Sequence, residues 1–90
     1  MSEYLIVLGK DRCSGCVDLK NKLILNDIDF RYVTDEKEIE KYRKNGPFDF
    51  YPHAIVINQN NDIIDIYPYS NENTNQIIQR FKKRGSSATN

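Results

Sequence analysis

The sequence predicts a small α/β domain with the element order β-α-β-α-β-β-α, in which a four-stranded mixed sheet packs with three helices. The first supporting observation is a strand, a helix and a second strand within residues 4–33, the pattern of a βαβ unit with parallel strands. The second is a pair of apolar runs joined by a short polar turn, which predicts an antiparallel hairpin. An amphipathic helix follows that hairpin and completes the order.

The first three predicted elements lie on either side of a cysteine pair. Residues 4–8 form a continuous run of apolar, mostly branched side chains closed by Gly9, which is typical of a buried strand. A helix is predicted over residues 17–26, and the alternating segment 28–33 is predicted to be the second strand. The apolar residues that recur at helical spacing predict the buried face of the helix: Cys16, Leu19, Leu23 and Ile24.

The second predicted helix is short and highly charged. Thr34 or Asp35 can cap it, and Asp35 with Glu38 has capping-box spacing. Ile39 and Tyr42 are predicted to face inward, and the Gly-Pro pair at residues 46–47 is predicted to end the helix.

The hairpin is predicted from strands at residues 54–57 and 63–67, joined by the polar turn 58–62. The last helix is predicted over residues 74–83. Its apolar face contains three residues: Ile77, Ile78 and Phe81.

Composition restricts the function classes. Hydrophobic residues make up 39% and charged residues 29% of the chain, which favours one folded domain, predicted over residues 1–85 with a frayed polar tail at 86–90. Thirteen basic residues balance thirteen acidic ones, so no broad basic surface for nucleic acid is expected. The longest apolar run is too short to cross a membrane, and the N-terminus lacks the features of a signal peptide. We therefore expect a cytoplasmic monomer that binds neither nucleic acid nor membranes.

The segment Cys13-Ser14-Gly15-Cys16 stands between the first strand and the first helix. A two-residue gap keeps two sulfurs within bonding reach when the second cysteine lies in the first helical turn. The free N–H groups and the positive dipole end of the helix stabilise a thiolate on the first cysteine. Cys13 is therefore predicted to be the nucleophile and Cys16 the resolving thiol.

This order of elements, with Cys-x-x-Cys after the first strand, resembles the thioredoxin superfamily in its compact glutaredoxin-like form, over about residues 3–83. The resemblance implies a basic residue near the thiolate and the glutathione carboxylate at Lys10, and a cis-proline facing the cysteines at Pro52. A cis bond there would leave the Tyr51 backbone free to pair with an incoming peptide. It also implies a thiol–disulfide oxidoreductase that reduces protein disulfides without a required cofactor. Glutathione or a thioredoxin-type reductase would supply the electrons.

The chain also departs from the glutaredoxin pattern. Ser-Gly at residues 14–15 replaces the usual Pro-Tyr, and Phe-Tyr at residues 50–51 replaces the usual Thr-Val. The Gly-Gly that helps glutaredoxins hold glutathione is replaced by the bulky Tyr-Pro-Tyr at residues 67–69. Asn71 and the start of the last helix could still offer N–H groups to an anion. We therefore expect glutathione to bind more weakly than in typical glutaredoxins.

Two metal-binding alternatives remain open at this point. Some glutaredoxins with serine after the first cysteine share an iron–sulfur cluster between two chains, using that cysteine and the glutathione sulfur. Ser14 permits this alternative, whereas the missing Gly-Gly argues against it. A zinc site needs four ligands, and beyond the two cysteines the chain offers only His53 and carboxylates. We assign no metal site.

Overall fold

The computed structural model describes residues 3–42 and 52–82. Within these ranges the chain forms β1 (Glu3–Leu8), α1 (Ser14–Leu25), β2 (Arg31–Val33), α2 (Glu36–Tyr42), β3 (His53–Asn58), β4 (Ile63–Pro68) and α3 (Asn71–Phe81). The predicted fold class is thus confirmed. The predictions for residues 46–47, for Tyr51 and for the tail 86–90 lie outside the described residues. No helix in the described ranges is both long enough and apolar enough to span a membrane.

The four strands form one mixed sheet in the order β2-β1-β3-β4. Strand β1 runs parallel to β2, as the α1 crossover requires, and antiparallel to β3, with Leu5 opposite Val56. The β3–β4 pair is the predicted antiparallel hairpin, with an irregularity between Val56 and Ile57. This arrangement is that of the thioredoxin-like fold.

The sheet is covered on both faces, because successive side chains of a strand point to opposite sides. One face carries α1 and α3, and the other carries α2. The buried residues of the first face are Leu5, Val7, Leu19, Leu23, Ile28, Ala54, Val56 and Ile77. Those of the second are Ile6, Leu8, Val33, Ile39, Ile55 and Ile57.

The end of α1 corrects two predictions. Asp27 has a positive φ of 55°, and the Ile28 N–H donates to the Leu23 carbonyl oxygen at 3.0 Å, the geometry of a Schellman cap. The cap uses the segment after the helix as a turn, so β2 begins at Arg31 and not at residue 28. The predicted inward position of Ile24 is wrong, because its side chain is 60% exposed. Positions 16, 19 and 23 already cover the single face that α1 turns toward the sheet.

Helix α3 starts one turn earlier than predicted because Ser70 caps it. The Asn73 N–H donates to Ser70 Oγ at 3.0 Å, and Thr74 Oγ1 donates to the Ser70 carbonyl oxygen at 2.8 Å. The predicted inward face of this helix is confirmed, with Ile77 buried. Of the two candidate caps of α2, the structure shows Asp35, since the Glu38 N–H donates to Asp35 Oδ2 at 3.1 Å.

Arg80 fastens α3 to two strands. Its guanidinium group donates from Nε to Glu3 Oε1 at 3.0 Å, from Nη1 to Asp65 Oδ2 at 2.6 Å, and from Nη1 to the Tyr67 hydroxyl oxygen at 2.9 Å. Hydrogen bonds to Glu3 and then to Asp65 raise the pKa of Arg80 further above its ordinary value, so the group stays charged. Arg80 therefore holds the C-terminal end of β4, directly before the segment that connects it to α3.

Candidate redox site

The two cysteines form a disulfide bond at the N-terminus of α1, with their Cα atoms 5.2 Å apart. Cys13 has an extended backbone and is the N-cap residue of the helix. Its Sγ accepts a hydrogen bond from the Cys16 N–H at 3.1 Å. The predicted proximity of the two sulfurs is thus confirmed, and the N-cap position directs a backbone N–H group at the first of them.

The two cysteines differ in their access to solvent. Cys16 is buried, with 1% of its surface exposed, whereas Cys13 is partly exposed. A sulfur atom of another molecule can therefore approach Cys13 but not Cys16. The arrangement is that of a thiol–disulfide redox pair with one accessible member.

Pro52 and Tyr69 enclose the turn between the cysteines. A Cβ atom added at Gly15 would lie 3.2 Å from Pro52 Cδ and 3.2 Å from Tyr69 Cε2. Pro52 is fully buried directly before β3, beside this turn. The family resemblance implied a proline facing the cysteines, and its role in binding a substrate stays a prediction. The isomer of the preceding bond involves Tyr51, which lies outside the described residues, so the cis bond stays a prediction.

Tyr69 also makes a hydrogen bond to α1. Its hydroxyl donates to Asp18 Oδ2 at 2.6 Å, and Lys22 Nζ lies 3.2 Å from the same oxygen. The Tyr69 hydroxyl, and then Lys22, lower the pKa of the Asp18 carboxyl group, while the same hydrogen bond raises the pKa of Tyr69. The sequence identified Tyr69 only as a bulky residue after the fourth strand. Tyr69 and Asp18 are 51 positions apart, so no local pattern predicts their contact.

The pKa of Asp18 gives a direct test of this contact. In the Tyr69→Phe variant we expect it to rise toward the ordinary value of 3.8, because the hydroxyl no longer stabilises the carboxylate. A depressed folded-state pKa contributes stability above the unfolded-state pKa, and that contribution is lost as the pH falls through the folded value. An NMR titration of the Asp18 carboxyl carbon measures the shift. Tyr67→Phe is the control, and an Asp18 pKa that is the same in wild type and Tyr69→Phe would contradict the contact.

The other predicted site residues lie on the surface near this turn or at the start of α3. Lys10 is exposed in the loop before Cys13, and Asn71 is exposed as the first residue of α3. Arg12, also exposed, has a positive φ of 54° directly before the first cysteine. The proposed roles of Lys10 and Asn71 in binding glutathione stay predictions.

The base of the loop packs against an aromatic ring. A Cβ atom added at Gly9 would lie 2.8 Å from ring carbons of Tyr32, so only glycine fits there without a shift. Lys20 Nζ lies 3.9 Å from the centre of the same ring. Burial, and then the charge of Asp11, raise the pKa of Tyr32, which keeps its hydroxyl protonated. The strand-to-loop junction at Gly9 therefore packs directly against Tyr32 of β2.

The start of α3 offers fewer donors to an anion than a bare helix end. Ser70 Oγ occupies the Asn73 N–H, and Pro68 has no N–H group to donate. Glu72 places a carboxylate in the first turn of the helix. The expectation that glutathione binds weakly on this side of the cysteines stays a prediction.

Within residues 3–42 and 52–82, no group of three or more His, Cys, Asp or Glu side chains could hold a metal ion. His53 is buried at the start of β3. Comparisons with protein-family models, with curated proteins and with solved structures found no match for this chain. The inference of function therefore depends on the geometry of the cysteine pair.

Proposed function

We propose that the protein is a glutaredoxin-like thiol–disulfide oxidoreductase that reduces disulfide bonds in other proteins. The observation that carries this proposal is the asymmetry of the cysteine pair. Cys13 is accessible at the N-cap of α1, and Cys16 is buried in the first turn within bonding distance of it. The Cys13 thiol can therefore react with the substrate, while the Cys16 thiol reacts afterwards with Cys13.

In the first step, the Cys13 thiolate attacks one sulfur of the substrate disulfide. A new bond joins Cys13 Sγ to that sulfur, the substrate S–S bond breaks, and the other sulfur leaves as a thiolate that takes up a proton. The Cys16 N–H, 3.1 Å from Cys13 Sγ, stabilises negative charge on the attacking sulfur.

In the second step, the Cys16 thiolate attacks Cys13 Sγ. The mixed disulfide breaks, the second substrate thiol is released, and the Cys13–Cys16 bond closes. Two electrons have then passed from the protein to the substrate. Two thiols of glutathione, or the dithiol of a thioredoxin-type reductase, would restore the reduced pair, so no bound cofactor is required. Both are cytoplasmic reductants, and we propose the cytoplasm as the working compartment.

The choice of electron donor tests the proposal and the role of residues 67–69 together. We expect a thioredoxin-type reductase to reduce the oxidised protein faster than glutathione does, because Tyr69 lies against the turn between the cysteines and Pro68 has no N–H group to offer glutathione. The rate at which the protein's own two thiols appear, followed by alkylation and mass measurement, compares the two donors. Reduction of a protein disulfide such as that of insulin confirms turnover.

Two outcomes would contradict these expectations. Reduction by glutathione as fast as that of a glutaredoxin with Gly-Gly after its fourth strand would show that residues 67–69 do not restrict glutathione. A brown, dimeric preparation with cluster absorption and no turnover would favour the iron–sulfur alternative over the reductase.

A further inference from the structure

We propose that Tyr69 is a positioning residue that shifts the equilibrium of the Cys13–Cys16 pair toward the disulfide. This inference rests on the proposed function, since it concerns the same reversible redox pair. It assigns the Tyr69–Asp18 contact a role in setting how readily the protein gives up its electrons.

The Tyr69 ring lies against the turn between the cysteines. Gly15 lies beside Tyr69 and Pro52, each 3.2 Å from the place that a Cβ atom would occupy. A side chain at this position would be crowded by both residues, so the Gly15 backbone has little room to move toward them. Because Cys13 and Cys16 flank this turn directly, restricting it restricts the separation of the two sulfurs.

Tyr69 is held both at its backbone and at its hydroxyl group. On the backbone side, Ser70 is fixed as the cap of α3, and Asn73 Nδ2 donates to the Pro68 carbonyl oxygen at 2.8 Å. On the side-chain side, the hydroxyl donates to Asp18 Oδ2 at 2.6 Å. Asp18 belongs to α1, the helix that Cys13 caps. The ring is therefore a rigid support that connects α3, the turn and α1.

The conformational entropy of the turn in the dithiol form affects the redox equilibrium. Closing the disulfide confines the turn to one conformation, which costs free energy in proportion to the freedom that the dithiol form had. A turn whose movement Tyr69 and Pro52 already restrict loses less freedom when the bond closes. The effective concentration of one thiol near the other is therefore higher. Tyr69 thus favours the disulfide and makes the dithiol form a stronger reductant.

The experiment measures the equilibrium of this pair with glutathione. In mixtures of known ratio, one molecule of glutathione disulfide accepts two electrons from the protein dithiol and becomes two molecules of glutathione, while the protein disulfide forms. Acid quenching, alkylation and mass measurement give the reduced and oxidised fractions. An equilibrium constant does not depend on how tightly glutathione binds.

For Tyr69→Ala we expect the constant for disulfide formation to fall about tenfold, which corresponds to a potential about 30 mV higher. Tyr69→Phe keeps the ring and loses the hydrogen bond, so its shift should be smaller and in the same direction. Tyr67→Phe is the matched control. It removes a hydroxyl two residues away that contacts Arg80, and its constant should equal that of wild type.

Asp18→Ala keeps the Tyr69 ring and removes its acceptor, so it provides an independent test if Tyr69→Ala does not fold. It should behave like Tyr69→Phe. Constants equal to wild type in Tyr69→Ala, or in both Tyr69→Phe and Asp18→Ala if the first variant is unfolded, would overturn the role of Tyr69 and leave the proposed function intact. A wild-type pair that does not exchange reversibly with glutathione disulfide would instead overturn the proposed function.

Discussion

Replacing Cys13 by serine is expected to abolish disulfide reduction, whereas replacing Cys16 by serine should stop the reaction at the mixed disulfide. Cys13 is the accessible thiol at the N-cap, so its loss removes the nucleophile. Cys16 is buried, and in the proposed mechanism it would act only on the mixed disulfide that Cys13 has formed. Turnover of a protein disulfide measures the first effect, and mass spectrometry of the trapped adduct measures the second.

The double variant Cys13→Ser/Cys16→Ser serves as the control for thiol-independent background. Both single variants should remain folded, because serine is close to cysteine in size. The assignment of roles would be reversed if Cys13→Ser formed the stable adduct through Cys16 and Cys16→Ser formed none.

Replacing Leu23 by alanine is expected to lower the free energy of unfolding by about 2–5 kcal/mol, the range for large-to-small changes in a close-packed core. Leu23 has no exposed surface and lies in the core between α1 and the sheet. Because domains of this kind unfold with about 5–15 kcal/mol, the loss is a large share of the total. Urea unfolding followed by circular dichroism, with both proteins in the same redox state, measures it.

Leu25→Ala is the matched control. The same atoms are removed two residues later in the same helix, from a side chain that is 81% exposed. Its unfolding free energy should change by no more than about 0.5 kcal/mol. Similar losses in the two variants would contradict the orientation of α1 on the sheet.

Sequence analysis predicted the elements whose signals are local. The apolar run of β1 and the spacing of Leu19 and Leu23 in α1 each depend on a few neighbouring residues, and the structure confirms them. The errors lie where a tertiary or capping feature decides. Ile24 has the right spacing for the inward face, but the sheet covers only one side of α1. The cap at Asp27 shortened β2, and the cap at Ser70 lengthened α3.

In the candidate site, too, the local features were predicted from the sequence and the tertiary contact was not. The Cys13–Cys16 pair is a local motif at a strand–helix junction, so the sequence located it and predicted that the sulfurs could bond. The position of Pro52 followed from a family resemblance and not from spacing. The contact of Tyr69 with Asp18 could not be predicted, because it joins segments that only the folded sheet brings together.

The chain positions of Pro52 and Tyr69, the two residues beside Gly15, have a consequence for the newly synthesised chain. Both Pro52 and Tyr69 belong to the half of the protein that follows α2, and this half meets β1 through pairs such as Leu8 and His53. Contacts so distant along the chain carry a large loop-closure entropy and slow the folding rate, whereas the β1–α1–β2 unit is more local. Before the two halves dock, the cysteines belong to an unsupported peptide dithiol. On the role proposed for Tyr69, the cysteine pair would gain its two supports only when the two halves dock.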